Sequence, residues 1–128
     1  MSALSDYAEN KLLDHLLGTA AFTAPSTVYI GLSTGSFADD NSGTELTGSN
    51  YARKSIAFDS AASGATDNTS AVEFNAATGS WGDVSHFGLF DASSGGNLLV
   101  HGAFTTAKTI ASGDVLKIDA GDLDITAD

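Results

Sequence analysis

The chain predicts a mainly β protein: a β-sandwich of about eight strands, jelly-roll-like in connectivity, with one amphipathic α-helix at its N-terminus. Three observations predict it. Ala, Ser, Thr and Gly are abundant, while proline occurs once, at Pro25. Short apolar runs are separated by glycine breaks, the pattern of an all-β domain. Finally, the stretch Trp81 to Gly102 reads WGDVSHFGLFDASSGGNLLVHG, two strand-forming runs around a glycine-rich break.

The N-terminal helix is expected over about residues 3 to 17. Leu4, Ala8, Leu12, Leu13, Leu16 and Leu17 recur at helical spacing and form one apolar stripe. Ser2 or Ser5 can cap its start, Asp6 and Glu9 suit its positive end, and Gly18 is placed as a left-handed stop. The stripe has two readings. It covers the open side of the domain's own sheet, or it docks on a neighbouring subunit, in which case Leu4, Leu12, Leu13, Leu16 and Leu17 are the interface.

Pro25 then fixes φ ahead of a strand over Thr27 to Ser33, where Val28, Ile30 and Leu32 alternate with Tyr29 and Gly31. Residues 34 to 50 are polar, acidic and glycine-dotted, a long surface loop. Tyr51 to Phe58 is extended again. Arg53 and Lys54 stand side by side there and send one charge to each face, so this strand begins near a sheet edge. Residues 59 to 69 read as a second polar loop, and Val72 with Phe74 as a short strand.

The stretch from Trp81 is a β-hairpin with a loop of four to six residues around Ser94-Gly-Gly96. Val84, Gly88 and Phe90 fall on one side of its first run, Phe87 and Leu89 on the other. Leu98, Val100 and Phe104 form the stripe of the return run. Apolar groups on both faces place the hairpin at the centre of a sheet. Extended segments at 105 to 110 and 115 to 118, and a last strand carrying Leu123 and Ile125, complete the count.

The chain's 128 residues make one domain, residues 1–128, large enough to bury about two thirds of its unfolded surface. Cysteine is absent, which removes disulfides and thiolate metal sites and fits a protein made in a reducing cytosol. No apolar run is long enough to span a bilayer, and no basic-then-apolar leader opens the chain. The formal charge of −11 repels phosphate backbones and anionic lipid, so neither nucleic acid nor membrane is an expected partner.

Side chains that could carry chemistry are few. His86 and His101 fall on the two hairpin strands and could face one another, with Asp83 the nearest carboxylate for a metal. Ser85 and His86 are neighbours on a strand and should point to opposite faces, the wrong geometry for a nucleophile and its base. The loop Asp39-Asp-Asn-Ser-Gly-Thr-Glu45 suggests calcium, but its glycine comes one position early and the twelfth-position Glu is missing. Asp119, Asp122, Asp124 and Asp128 form an acidic edge, read as solubilising or as a draw for calcium or a basic partner. Trp81 could stack on a sugar, or pack. No catalytic, metal or cofactor site is expected, and no enzymatic activity.

Several segments together resemble a known family. They are Ser5-Asp-Tyr-Ala-Glu-Asn-Lys-Leu-Leu-Asp-His15, Gly48-Ser-Asn-Tyr-Ala-Arg53, Trp81-Gly-Asp-Val with Phe87-Gly-Leu-Phe-Asp91, Gly95-Gly-Asn-Leu-Leu99 and Ala120-Gly-Asp-Leu-Asp-Ile125. The chain is similar along most of its length to small structural proteins of tailed-bacteriophage virions, usually described as tail fibre or minor structural proteins. The resemblance implies a non-enzymatic virion building block, assembled in the host bacterial cytoplasm. Its partners would be itself, as a homotrimer, and the major capsid protein or a tail protein of the same virion.

Two placements follow. A compact acidic block without heptads or repeats suits capsid decoration, as a cement protein on the head exterior. The alternative is a tail fibre or baseplate component, a tip or adaptor contacting the host surface through the loops at 34 to 50 and 59 to 69.

Overall fold

The computed structural model describes residues 2–127; Asp128 of the expected acidic edge lies outside the described residues. They form nine strands and one helix: β1 (Ser2–Leu4), α1 (Asp6–Leu16), β2 (Val28–Ser33), β3 (Lys54–Ile56), β4 (Ala65–Asp67), β5 (Val72–Glu73), β6 (Gly82–Phe90), β7 (Leu98–Ile110), β8 (Lys117–Ile118) and β9 (Asp124–Thr126). The mainly β class with a single N-terminal helix is therefore the architecture of the molecule.

Five strands form one antiparallel sheet in the order β1-β7-β6-β2-β3. The hairpin β6–β7 supplies its two longest strands, and β6 lies at its middle, where the apolar groups on both faces placed it. β3 is an edge strand, as the Arg53-Lys54 pair implied. Two short ribbons, β4–β9 and β5–β8, supply the remaining strands. Their apolar residues join Ile30, Leu32, Phe87 and Leu89 in one buried cluster that includes Val72, Phe74, Leu116, Ile118 and Leu123. The ribbons thus close one face of the sheet.

Three expectations are corrected. The helix begins at Asp6, not residue 3. Ser5 is its cap, its hydroxyl accepting Ala8 N–H at 3.1 Å and donating to the Leu98 carbonyl, while Ser2 to Leu4 pair with Val100 to Gly102 as a sheet edge. A strand end whose backbone can join a ladder gains more there than as a frayed helical turn. The polar loop at 59 to 69 contains β4, which pairs with β9 and carries no run of strand-forming residues to announce it. The hairpin loop runs from Asp91 to Asn97, longer than expected. Asp91 spans it, its carboxylate accepting Asn97 N–H at 2.7 Å and Asn97 Nδ2 at 3.0 Å.

The faces of the hairpin are assigned correctly for Phe87 and Leu89, which lie in the main core, and for Phe90, which lies on the other side with Phe37 and Leu98. Val84 and Leu98 are the exceptions. The register shifts between Val84 and His86, and again between Leu89 and Phe90. Each irregularity breaks the period of two, so Val84 joins the main core and Leu98 leaves it.

The second face of the sheet is closed differently. Gly31 and Gly88 pair directly across β2 and β6 and leave a dent. A Cβ on Gly88 would stand 3.0 Å from Leu98 Cδ1 and Phe90 Cε2 and 3.2 Å from Phe37 Cδ2; one on Gly31 would stand 2.7 Å from Glu45 Oε2. Loop 34 to 50 fills the dent, with Phe37 edge-on to Phe90 at 5.6 Å. Arg53 lies over the Phe90 ring at 3.5 Å. Its Nε and Nη2 donate to the two Glu45 oxygens at 2.9 and 2.7 Å, and Nη1 donates to the carbonyls of Ala92 and Gly95. One guanidinium ties loop 34 to 50, the edge strand and the hairpin loop together.

Candidate assembly interface

α1 stands on the body by a narrow foot. Ser5 is fully buried beneath it, Ala8 is its one buried residue, and the Asp6 N–H donates to the Asp39 carbonyl. Asp6 and Glu9 occupy the first turn, and Gly18 follows the helix at φ 79°, the stop the sequence indicated. The chain then folds back: Phe22 N–H donates to His15 Nδ1, and the Phe22 ring meets Tyr7 edge-on at 6.5 Å.

This arrangement bears on the first reading of the apolar stripe, a cover for the chain's own sheet. Leu12, Leu13, Leu16 and Leu17 are 38, 55, 67 and 76 % exposed, rising toward the helix end. They do not cover the sheet of their own chain. At 100° per residue they share one side of the helix, with the Lys11–His15 row running beside the Leu12–Leu16 row. The structure thus brings four of the five predicted interface leucines together at a projecting tip. Leu4 is separate: it is half-buried in β1, opposite Val100.

A concave apolar feature lies on the body. Val28, Phe58, Leu89, Leu99, Val100 and Ile125, with Thr66 at the lip, line a groove of about 200 Å³ between the sheet and the β4–β9 ribbon. All but Leu89 are half-buried. Beside it, Asp59, Asp67 and Asp124 line the neighbouring depression, and Asp67 and Asp124 are direct partners across the ribbon. Nothing in the sequence singled out this groove. The Leu98-Leu99 doublet was its one trace, because neighbours on a strand cannot both enter one core.

The other chemical candidates are accounted for by internal bonds. His86 and His101 do not face each other: His86 is opposite Ala103, His101 opposite Gly88. His101 Nε2 lies 2.7 Å from Asp39 Oδ1, and Asp83 accepts from the Thr109 hydroxyl. Among the described residues no group of three His, Cys, Asp or Glu could hold a metal. Ser85 and His86 do meet, at 2.7 Å between Oγ and Nδ1, contrary to the alternation expected. The register shift beside them is the reason. The Ser85 hydroxyl also lies 3.0 Å from the Thr34 carbonyl, to which it donates.

In the loop 39 to 45, Asp40 accepts Ser42 N–H at 3.0 Å, and bonds to Ser42 lower its pKa. Glu45 serves Arg53 and also accepts the Tyr51 hydroxyl; burial first, then that bond, raises the pKa of the phenol. Trp81 is core: it is buried, edge-on to Tyr51, and donates Nε1–H to the Ser49 carbonyl at 3.0 Å. A cleft of about 310 Å³ between β7 and β8 has one aromatic in its lining, Phe104, whose ring packs on Phe87 at 5.5 Å. No helix of the described residues is long and apolar enough to cross a membrane.

Comparison with known proteins places the chain in a family. The family model described as podophage GP4 fiber I protein gp80 matches residues 3–126. None of the curated proteins searched matches the chain.

Proposed function

The chain belongs to the podophage GP4 fiber I protein family, a family of phage virion structural proteins, and from that premise we propose that it is a tail-fibre component, an adaptor or tip. The family description names a fibre, which supports this placement over decoration of the capsid exterior, the reading that acidity and compactness first suggested. The architecture supports an adaptor or tip over a shaft: a sheet closed by two ribbons, with one projecting helix, is a block and has no repeating rise.

The observation that carries the reading is the leucine tip of α1. Four neighbouring leucines left to solvent at the end of a helix held by Ser5 and Ala8 form an apolar patch that assembly would cover. We assign Leu12, Leu13, Leu16 and Leu17 to a subunit contact, with Leu4 supporting it from β1. The partners are further copies of the chain, in a closed cyclic oligomer with three copies as the expected number, and a tail protein of the same virion. The chain acts as one structural unit without catalysis.

Quantitative mass spectrometry of purified virions tests the placement. A few to a few tens of copies per particle are expected of a fibre component. Hundreds of copies would return the protein to the head exterior.

A further inference from the structure

We propose that the groove lined by Phe58, Leu99, Val100 and Ile125 receives the leucine tip of α1 from a second copy of the chain, making a head-to-tail contact. The inference rests on the assignment of α1 to a subunit contact and names what the helix meets.

The molecule carries one convex and one concave apolar feature, and its own chain joins neither to the other. The tip leucines stay exposed while the groove walls stay half-buried. Their sizes agree. An apolar cavity of about 150 Å³ already holds a benzene-sized guest, so a groove of about 200 Å³ takes a branched aliphatic side chain or two. It does not take the flank of a helix. Leu16 and Leu17, beside the chain reversal at Gly18, form a tip and not a flank.

Charge selects the same occupant. Asp67 and Asp124 stand directly opposite each other beside the groove, with Asp59 next to them, and like charges so placed repel. Among the described residues none of the three has an ion-pair partner. Three of the chain's five cations are engaged, Arg53 with Glu45, Lys117 with Asp119 and Lys54 with Asn75, while Lys108 on β7, like Lys11, makes no ion pair among the described residues. Lys11 makes no ion pair among the described residues, lies 5.8 Å from the Tyr7 ring, and borders the leucine rows of α1. A docking helix therefore brings a cation to a carboxylate cluster that lacks one.

A stable interface removes about 800 Å² from each partner, more than four partly exposed leucines supply. In a head-to-tail assembly each copy is held twice, by its tip and by its groove. Such contacts close into a ring when the rotation allows and otherwise extend as a filament.

Light scattering on the full chain, with circular dichroism to confirm folding, tests the inference through two variants. Leu16→Asp/Leu17→Asp spoils the tip, and Leu99→Glu spoils the groove. Each is expected to be monomeric and folded. Their equimolar mixture should form a dimer, because one intact tip and one intact groove remain. Leu99→Ala, milder in case the glutamate disturbs folding, should weaken self-association roughly tenfold. A wild-type chain that stays monomeric at millimolar concentration, or a mixture of folded variants that stays monomeric, overturns the proposal. If the tip variant is monomeric while Leu99→Glu and Leu99→Ala assemble as wild type, the groove is overturned and the α1 contact stands. If the tip variant assembles normally, both fail.

Discussion

The two faces of the central sheet are closed by different means. On one, side chains of β2 and β6 meet two ribbons in a continuous apolar cluster. On the other, a pair of glycines makes room for a loop, and Phe37 and the Arg53–Glu45 pair fill it. The first face is held by burial, which is non-directional and forgiving of exchange between apolar residues. The second depends on bonds from one guanidinium and on the absence of two Cβ atoms. The difference teaches where the chain tolerates substitution, and it can be broken in several places.

The largest expected effect is on burial. Phe87→Ala opens the ribbon-covered face and should cost about 3–5 kcal/mol, seen as a large fall in melting temperature. Phe90→Ala should cost as much again for a different reason, since it removes both the partner of Phe37 and the platform under Arg53. If either variant melts like wild type, the hairpin is not the centre of the fold.

Next is the ion pair. Arg53 is 7 % exposed and Glu45 23 %, so their attraction is screened only in part. Arg53→Met leaves Glu45 and two loop carbonyls without their donor and should cost about 2–4 kcal/mol in denaturant titration. The Glu45→Gln variant, which keeps an acceptor for the guanidinium and for Tyr51, should cost less. Equal losses would show that charge, and not the bonding pattern, closes this face.

Gly88→Ala sharpens the contrast. Its methyl would meet Leu98, Phe90 and Phe37 at 3.0 to 3.2 Å, and overpacking of this kind costs about 1–3 kcal/mol. The added effect to look for is faster proteolysis of loop 34 to 50, since Phe37 must move. Unchanged cleavage in that loop would mean the dent is not what holds it.

These residues also mark what the sequence could and could not reveal. Period-two alternation placed Phe87, Leu89 and Phe90 correctly, because β6 itself pairs with β2 without a shift from His86 to Phe90. It misplaced Val84 and Leu98, because a bulge leaves no signature in residue type when no glycine marks it. β4 escaped notice since Ala65, Thr66 and Asp67 are held by pairing with β9 and not by propensity. Phe37 sits alone in an acidic loop, where nothing local shows that it enters a core. Arg53 was read as an edge marker, which it is; its partners at Glu45, Ala92 and Gly95 are long-range. The leucines of α1 were legible as a stripe, while the groove is assembled from six segments and was not.

A smaller effect concerns the hairpin loop that Arg53 grips. Bonds from Asn97, the backbone N–H first, hold the Asp91 carboxyl below the usual carboxylate range. A group with its folded pKa lowered contributes stability above its unfolded pKa and loses it as pH falls through the folded value. Asp91 is half-buried at the surface and still in reach of solvent, which screens the contribution to under about 1 kcal/mol. Asp91→Asn should flatten the acid limb of stability slightly; an unchanged acid limb would remove the carboxylate from the account of this loop.

The smallest effect on folding is expected where the effect on assembly is greatest. Leu16→Ser and Leu17→Ser remove apolar groups that are already two thirds or more exposed, and surface changes of this kind stay within about 0.5 kcal/mol of wild type. Helix propensity changes little at the last turn, and the foot of α1 at Ser5 and Ala8 is untouched. Measured at a concentration low enough for monomers, the melting temperature should not move. Measured where wild type is assembled, the variant should melt lower, because association adds stability that depends on concentration. A loss at low concentration would mean that the leucines hold α1 to its own body after all, and that the tip belongs to the fold and not to a contact between copies.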